Sequence, residues 1–195
     1  MEIRRAYKVE LDPNQAQRRQ LLRHAGAARF AYNWGLARRI GEYRGTGKSS
    51  RAMAQHRELN ALKKTAFPWM YEVSKCAPQE ALRDLDRAFA AFFRRLGLKR
   101  QGKLRGPAGF PRFKSRKRGV GSFRLTGKVV VEDTRIRLPR LGWLRLKERR
   151  YIPPGAKALS ASVSERAGRW FVSVLVEEEI APEEATGPAV GWTWG

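Results

Sequence analysis

The stretch GFPRFKSRKRGVGSF, residues 109–123, sets the strongest limit on how this chain can fold. It scatters Phe110, Phe113 and Phe123 among five cations, Arg112, Lys114, Arg116, Lys117 and Arg118, with three glycines, one proline and no acid. Its apolar residues are too few, and its charges repel one another too strongly, for the segment to make a core of its own. The fold must be assembled from what lies on either side. The three rings have two readings: anchors in a neighbouring core, or platforms for a flat partner. Cations set among rings suit a polyanion, because phosphates take the charges and exposed bases stack on the rings.

The excess of charge continues well past this stretch. The chain holds 41 Lys+Arg against 18 Asp+Glu, a net charge of +23. Residues 95–150 alone carry 19 basic residues and three acidic ones, Glu132, Asp133 and Glu148. Such a density on one segment implies a polyanionic partner. A membrane surface is the competing polyanion, but it asks for a basic amphipathic helix or a lipid anchor, and Gly/Pro punctuation argues against that helix. Neither an apolar signal region nor a run of about 18 apolar residues is present, so the expectation is a soluble, intracellular protein. Cys76 is the single cysteine, which excludes an internal disulfide and a Cys-rich zinc site. His24 and His56 are the only histidines, too little material for a His-based metal site or a Ser/His triad.

With 195 residues, of which 42% are hydrophobic, the chain can bury one large core or two small ones. Ile3, Tyr7, Val9 and Leu11 come near to alternation and predict a half-buried strand. Asp12 is the expected helix cap, with Pro13 in the first helical position and Gln15 reaching back. The helix that follows, to about Tyr43, turns Leu21, Ala25, Ala28, Tyr32, Leu36 and Ile40 to one face, widened by Phe30 and Trp34. Arg18, Arg19, Arg23, Arg38 and Arg39 fall on its outer face, a solvated surface or a channel wall. A second helix over 50–64 faces Ala52, His56, Leu59 and Leu62 inward. Ser74 is the candidate cap of a third, in which Leu82, Leu85, Phe89, Phe92, Phe93 and Leu96 form a stripe read as core. Pro78 fits its first turn.

Beyond Leu98 the pattern changes to short runs of strand character: 122–125, 128–131, 135–138, 142–146, 158–164 and 170–177. Ala167-Gly168-Arg169 turns the last two into a hairpin, and the spacing suggests a small barrel or a sandwich. The run EEEIAPEEATGP reads as a linker. Asp84 and Asp86 are two residues apart and point away from each other on a helix, so no catalytic constellation is visible. Trp143 reads as core or as an RNA contact, and Arg140 likewise serves RNA or barrel packing.

The order of these motifs resembles TnpB, the RNA-guided DNA endonuclease of insertion sequences, of the OrfB class of accessory transposases. The resemblance rests on LDPNQAQ, ARFAYNWGLARRI, KCAPQEALRDLDRAFAAFFRR, GFPRFKSR, IRLPRLGWLRL and PAVGWTWG, in that order along essentially the whole chain. It implies an α+β fold: a small wedge, or OB-like, β-barrel with an inserted α-helical recognition domain, ending in a stub of a RuvC-like domain. The implied boundaries are 1–11 for the first wedge strand, 12–104 for the helical recognition domain, 105–180 for the rest of the wedge, and 181–195 for a linker and RuvC-like start.

The resemblance also implies partners: a guide RNA from the transposon end and a target duplex DNA, with no membrane, in the prokaryotic cytoplasm beside the nucleoid. Lys75 and Gln79 stand where the family reads a short DNA motif, and both can reach base edges. Arg112, Lys114, Arg116, Lys117, Arg118, Arg124 and Arg140 are the candidate RNA or phosphate contacts. The family's first nuclease motif is similar to V-G-V-D-L-G, whereas here Thr193 occupies the place of the metal-binding Asp. A neutral hydroxyl does not replace that carboxylate. The expectation is therefore a nucleic-acid-binding portion without nuclease activity and without a cofactor. The family's Mg²⁺ belongs to the nuclease domain and its Zn²⁺ to a zinc-binding element, and a C-terminal half supplied elsewhere is the remaining partner the resemblance implies. The alternative is a guide-independent, helix-turn-helix-type DNA-binding protein or transposase accessory protein.

Overall fold

A computed structural model of the chain describes residues 2–153 and 156–179. It begins with strand β1 (Glu2–Asp12) and passes at once into helix α1 (Gln15–Thr46). Asn14 caps that helix: its side chain accepts from the Gln17 N–H at 2.9 Å, and the Gln17 side chain accepts from the Asn14 N–H at 3.0 Å. This reciprocal pair satisfies two N–H groups that the helix itself cannot. Asp12, the expected cap, is instead the last residue of β1, opposite Arg145. The ladder holds the backbone extended through Asp12, so the cap moves two residues on. Gly47 closes α1 in the left-handed region at φ +69°, with its N–H on the Tyr43 carbonyl.

Helix α2 (Ala52–Leu62), a 3-10 turn (Pro68–Glu72) and helix α3 (Cys76–Arg100) follow. Leu21, Ala25, Ala28, Tyr32 and Leu36 of α1 are buried as the periodicity requires, with Leu82 and Leu85 of α3 fully buried opposite. On α2, Ala52 and Leu59 are buried, whereas His56 and Leu62 are half-buried and Gln55 takes the interior position. Gly35 is what lets the three helices meet. A Cβ there would lie 2.6 Å from Leu82 Cδ2, 2.9 Å from Gln55 Oε1 and 3.1 Å from Leu85 Cδ2. The bare backbone is also used, since Gln55 Nε2 donates to the Gly35 carbonyl at 2.9 Å.

Arg39 departs from expectation. It is not on the outer face of α1 but buried, paired with Asp86 of α3, its guanidinium 4.7 Å from the centre of the Phe89 ring. The reason lies in α2, whose capping position, Arg51, offers no oxygen to the helix. Asp86 accepts the Ala52 N–H at 3.1 Å, so one carboxylate caps α2 and neutralises the buried guanidinium. The aromatic stripe of α3 departs too. Phe89, Phe92 and Leu96 are only half-buried and Phe93 is 61% exposed, because past Phe89 the ring of Phe110 is what leans on this face.

The remaining strands are β2 (Ser122–Thr126), β3 (Val130–Val131), β4 (Arg135–Leu138), β5 (Gly142–Leu146), β6 (Lys157–Arg166) and β7 (Arg169–Glu179). With β1 they make an antiparallel sheet in the order β2-β6-β7-β1-β5-β4-β3. The β6–β7 turn uses Ala167 and Gly168 at φ +51° and +77°, the conformation of a two-residue hairpin. Alternation sends Phe123, Leu125, Val163, Val172, Val174, Val176, Ile136 and Leu144 to one buried face. The helices meet the sheet mainly at β2, and a bulge between Ala158 and Ser160 interrupts the β6–β7 ladder. No ladder joins β2 to β3 among the described residues, so the sheet is open. The fold is α+β, with the helices inserted in sequence between β1 and β2.

Replacing Gly35 with Val should destabilise the folded chain by about 1–3 kcal/mol, the usual cost of overpacking a filled site. Urea unfolding followed by circular dichroism measures it, and an unchanged midpoint would mean that the helices can separate at no cost.

Candidate nucleic-acid interface

Between the helices and the sheet runs a trough of about 1050 Å³. Its helical wall comes from the end of α2, the 3-10 turn and the start of α3, which supply Lys63, Tyr71 and Lys75. The β2–β3 turn and the β4–β5 turn form the other wall, with Lys128, Arg137 and Arg140. Met70, Val73 and Leu138 make an apolar floor, and no acidic side chain lines it. Like charges so placed disturb one another. Burial first, then neighbouring Lys75, holds the Lys63 ammonium below its ordinary pKa. His56 is lowered by burial first, and then by Lys63, Arg83 and Lys75.

The walls are held in place by neutral hydrogen bonds. His24 of α1 is fully buried, donating from Nδ1 to the Gln20 carbonyl at 2.8 Å and accepting the Ser74 N–H on Nε2 at 3.0 Å. One nitrogen must donate while the other accepts, so the ring is neutral here, and burial pushes its pKa down. Its other neighbour is Phe123 of β2, with ring centres 5.3 Å apart. Ser74 Oγ in turn accepts from the Cys76 N–H, and the Cys76 thiol donates to the Thr126 carbonyl at 3.2 Å. Lys75 therefore projects from a backbone fastened on one side to α1 and on the other to β2.

The basic stretch is fastened separately. Asn33 of α1 donates to the Lys114 carbonyl at 2.9 Å and accepts its N–H at 2.8 Å, as a paired strand would. The Lys114 ammonium lies 4.1 Å from the centre of the Tyr32 ring, and burial lowers its pKa while Asp84 draws it the other way. Arg29 donates to the Val120 carbonyl at 3.0 Å. Phe113, Arg112 and Arg118 open onto a cleft of about 350 Å³ beside these contacts. Arg116, Lys117 and Arg118 form an exposed 3-10 turn whose start is capped by Ser115.

Most of the residues singled out from sequence fall into two groups. Lys75 and Arg140 share the trough, whereas Gln79 is half-buried on α3 outside its lining. Arg112, Lys114 and Arg118 share the cleft, with Arg116 and Lys117 beside it on the same turn. Arg124 is half-buried on the face of β2 opposite Phe123 and Leu125. Of the rings, Phe123 is a core anchor, while Phe110 and Phe113 are 47% and 52% exposed. Trp143 is half-buried on the outward side of β5, opposite the core residues Leu144 and Leu146, with Arg135 4.4 Å over its ring. Thr193 lies outside the described residues.

On the outer face of α1, Arg23 pairs with Glu72 and Arg38 with Glu58, Arg18 donates to the Pro13 carbonyl, and Arg19 is exposed. Lys63, Lys128 and Arg137 line the trough without being marked by any motif of the sequence. Alternation could have found Arg137, which stands between the buried Ile136 and Leu138, but nothing local marks the other two. No cluster of three or more His, Cys, Asp or Glu that could hold a metal ion occurs among the described residues, nor does a helix long and apolar enough to cross a membrane.

Comparison with known proteins bears on this geometry. Residues 1–48 match the helix-turn-helix domain of OrfB proteins. Within that match the described residues hold β1 and one unbroken helix, α1, with α2 starting only at Ala52. A protein named as an RNA-guided DNA endonuclease in Streptomyces pristinaespiralis is 33% identical over 194 residues, covering 97% of this chain and 46% of its own length. InsQ of Escherichia coli (strain K12), which carries the same description, is 32% identical over 196 residues, covering 95% of this chain and 44% of its own. The chain spans about half the length of these curated relatives.

Acid should loosen the walls of the trough through its histidines. Both folded pKa values lie below the unfolded value of 6.5, so their stabilising contribution is complete above that pH and is lost as pH falls toward the folded values. Urea midpoints should therefore decline between about pH 7 and pH 5, before the carboxylates titrate. In His24→Gln the decline should shrink, leaving the part due to His56, and an unchanged decline would contradict the neutral, buried ring.

Proposed function

Because the chain belongs to the TnpB/OrfB family of insertion-sequence proteins, we propose that it is that family's gripping portion, holding a guide RNA scaffold and the short DNA motif beside the target. The single observation that carries this reading is the acid-free trough with five cations on its two walls. Burial holds Lys63 and His56 below their ordinary pKa values, neighbouring cations lower them further, and a polyanion relieves that second, repulsive part. In this reading Lys75, with Gln79 one turn further on, meets duplex DNA from the start of α3. Arg140 closes the opposite wall, and Arg112, Lys114, Arg116, Lys117, Arg118 and Arg124 take RNA phosphates. Sequence discrimination is left to base pairing by the guide.

The sheet is assigned to the family's wedge barrel (residues 1–11 and 105–180), the helices to an inserted recognition domain (12–104), and residues 181–195 to a linker and the start of a RuvC-like domain. We assign no nuclease activity to this chain, since Thr193 carries no carboxylate where the family motif has its metal-binding Asp. A second reading, guide-independent DNA binding, is favoured by the helix-turn-helix match over residues 1–48. A discrete footprint on duplex DNA in the absence of RNA would select it.

The purified chain should bind its transposon-end RNA more tightly than unrelated RNA of equal length. Equal affinities across a salt titration would reject the reading. Alanine at Arg116, Lys117 or Arg118 should each lower the salt slope of RNA binding by about 0.7, the value for one single-strand phosphate contact. Lys75→Ala or Arg140→Ala should lower the slope on duplex DNA by about 0.9. With guide RNA, target DNA and Mg²⁺ supplied, no cleavage is expected, and cleavage by this chain would overturn the assignment of a binding role alone.

A further inference from the structure

We propose that the free end of α3, together with the ring of Phe110, is a stacking platform for an unpaired nucleic-acid strand. Phe93 and Phe110 each touch both Phe89 and Phe92, with ring centres 5.2 to 6.2 Å apart, so the four rings make one cluster. Its base is fixed, because Phe89 lies beneath the Arg39 guanidinium that Asp86 neutralises. Its outer members are open, with Phe93 61% and Phe110 47% exposed. Exposed rings on a fixed base are costly to leave in water, and a flat apolar partner would cover them.

The surroundings select which partner. Residues 87–131 contain 14 cations and no acid. Arg87 pairs with Asp84. Arg94, Arg95, Lys99 and Arg100, on the same helix as Phe93, meet no carboxylate among the described residues. The Arg95 guanidinium reaches 3.5 Å from the position a Cβ would take on Gly109, which places its charge beside Phe110. A protein partner for such a face would need acids interleaved with apolar side chains. An unpaired strand carries both parts in every nucleotide, a base to lie on a ring and a phosphate to meet an arginine. Duplex ends its bases inside the helix and can use only the charges.

The proposal rests on the chain being a nucleic-acid binder and adds the form of strand and its place. Fluorescence anisotropy of labelled oligo-uridine and oligo-thymidine, each about 12 nucleotides long, tests it against a duplex of the same length. Phe93→Ala should weaken strand binding by about 5- to 150-fold, the value of one base stack, leave duplex binding unchanged, and be restored by Phe93→Trp. A 2-aminopurine in the strand should be quenched by the wild type and the Trp variant but not by the Ala variant. Loss in one arm alone identifies the strand as RNA or DNA and supports the proposal. Unaltered melting temperatures show that the exposed position does not unfold the chain.

Strand affinity and quenching that survive Phe93→Ala would overturn this inference while leaving the trough reading intact. A dimer in sedimentation that Phe93→Ala splits would overturn it in favour of a second copy as the occupant. A wild type that binds neither strand nor duplex would overturn both readings together.

Discussion

A neutral imidazole at the centre of the molecule holds its two halves in register. His24 can accept the Ser74 N–H only while it lacks a proton, and burial keeps that proton off. Through that bond α1 fixes the start of α3, and through ring contact with Phe123 it fixes the first core residue of β2. Cys76 closes the loop by donating to Thr126 at the far end of β2. The contacts are uncharged and buried, which suits a place surrounded by cations: an ion pair there would add an acid and weaken the field that the trough presents. Charges are thereby free to face solvent while polar neutral groups do the joining.

Elsewhere, three of the acids each serve two partners. Asp86 serves Arg39 and the α2 N-terminus together. Glu10 in β1 is held by Arg169 and Lys147, and those partners draw its pKa down to about 2. Glu177 likewise joins Arg4 and Lys157 across β1, β7 and β6. Among the described residues no acid lines the trough or the cleft beside the basic turn. The asymmetry of composition becomes an asymmetry of surface, and an electropositive trough bounded by protein focuses its field on polyanions.

Much of the secondary structure was legible because it follows local rules. The strands 135–138 and 142–146 match β4 and β5 as the alternation of Ile136, Leu138, Leu144 and Leu146 requires. Ala167-Gly168 makes the hairpin its residue types favour. What escaped depends on distant partners. Arg39 reads as surface until Asp86, 47 residues away, is beside it. Phe93 reads as core because period alone does not say how far neighbouring helices extend along α3. Trp143 reads as core or as an RNA contact from its residue type, whereas the alternation of Leu144 and Leu146 turns it to the outward side of β5, where Arg135 covers its ring. In the candidate site, Lys75, Arg140 and the basic turn were visible from residue type and motif, whereas Lys63 and Lys128 enter only through the packing of helix against sheet.

In the proposed function nucleic acid lies along the acid-free trough and the basic turn. Photo-crosslinking tests it directly: the chain is irradiated with 4-thiouridine-substituted transposon-end RNA and bromodeoxyuridine-substituted target duplex, and the attached peptides are mapped. Adducts are expected to concentrate in residues 63–75, 126–142 and 110–118. Adducts spread evenly over the molecule, or gathered on β6 and β7 with the trough residues unmarked, would contradict it.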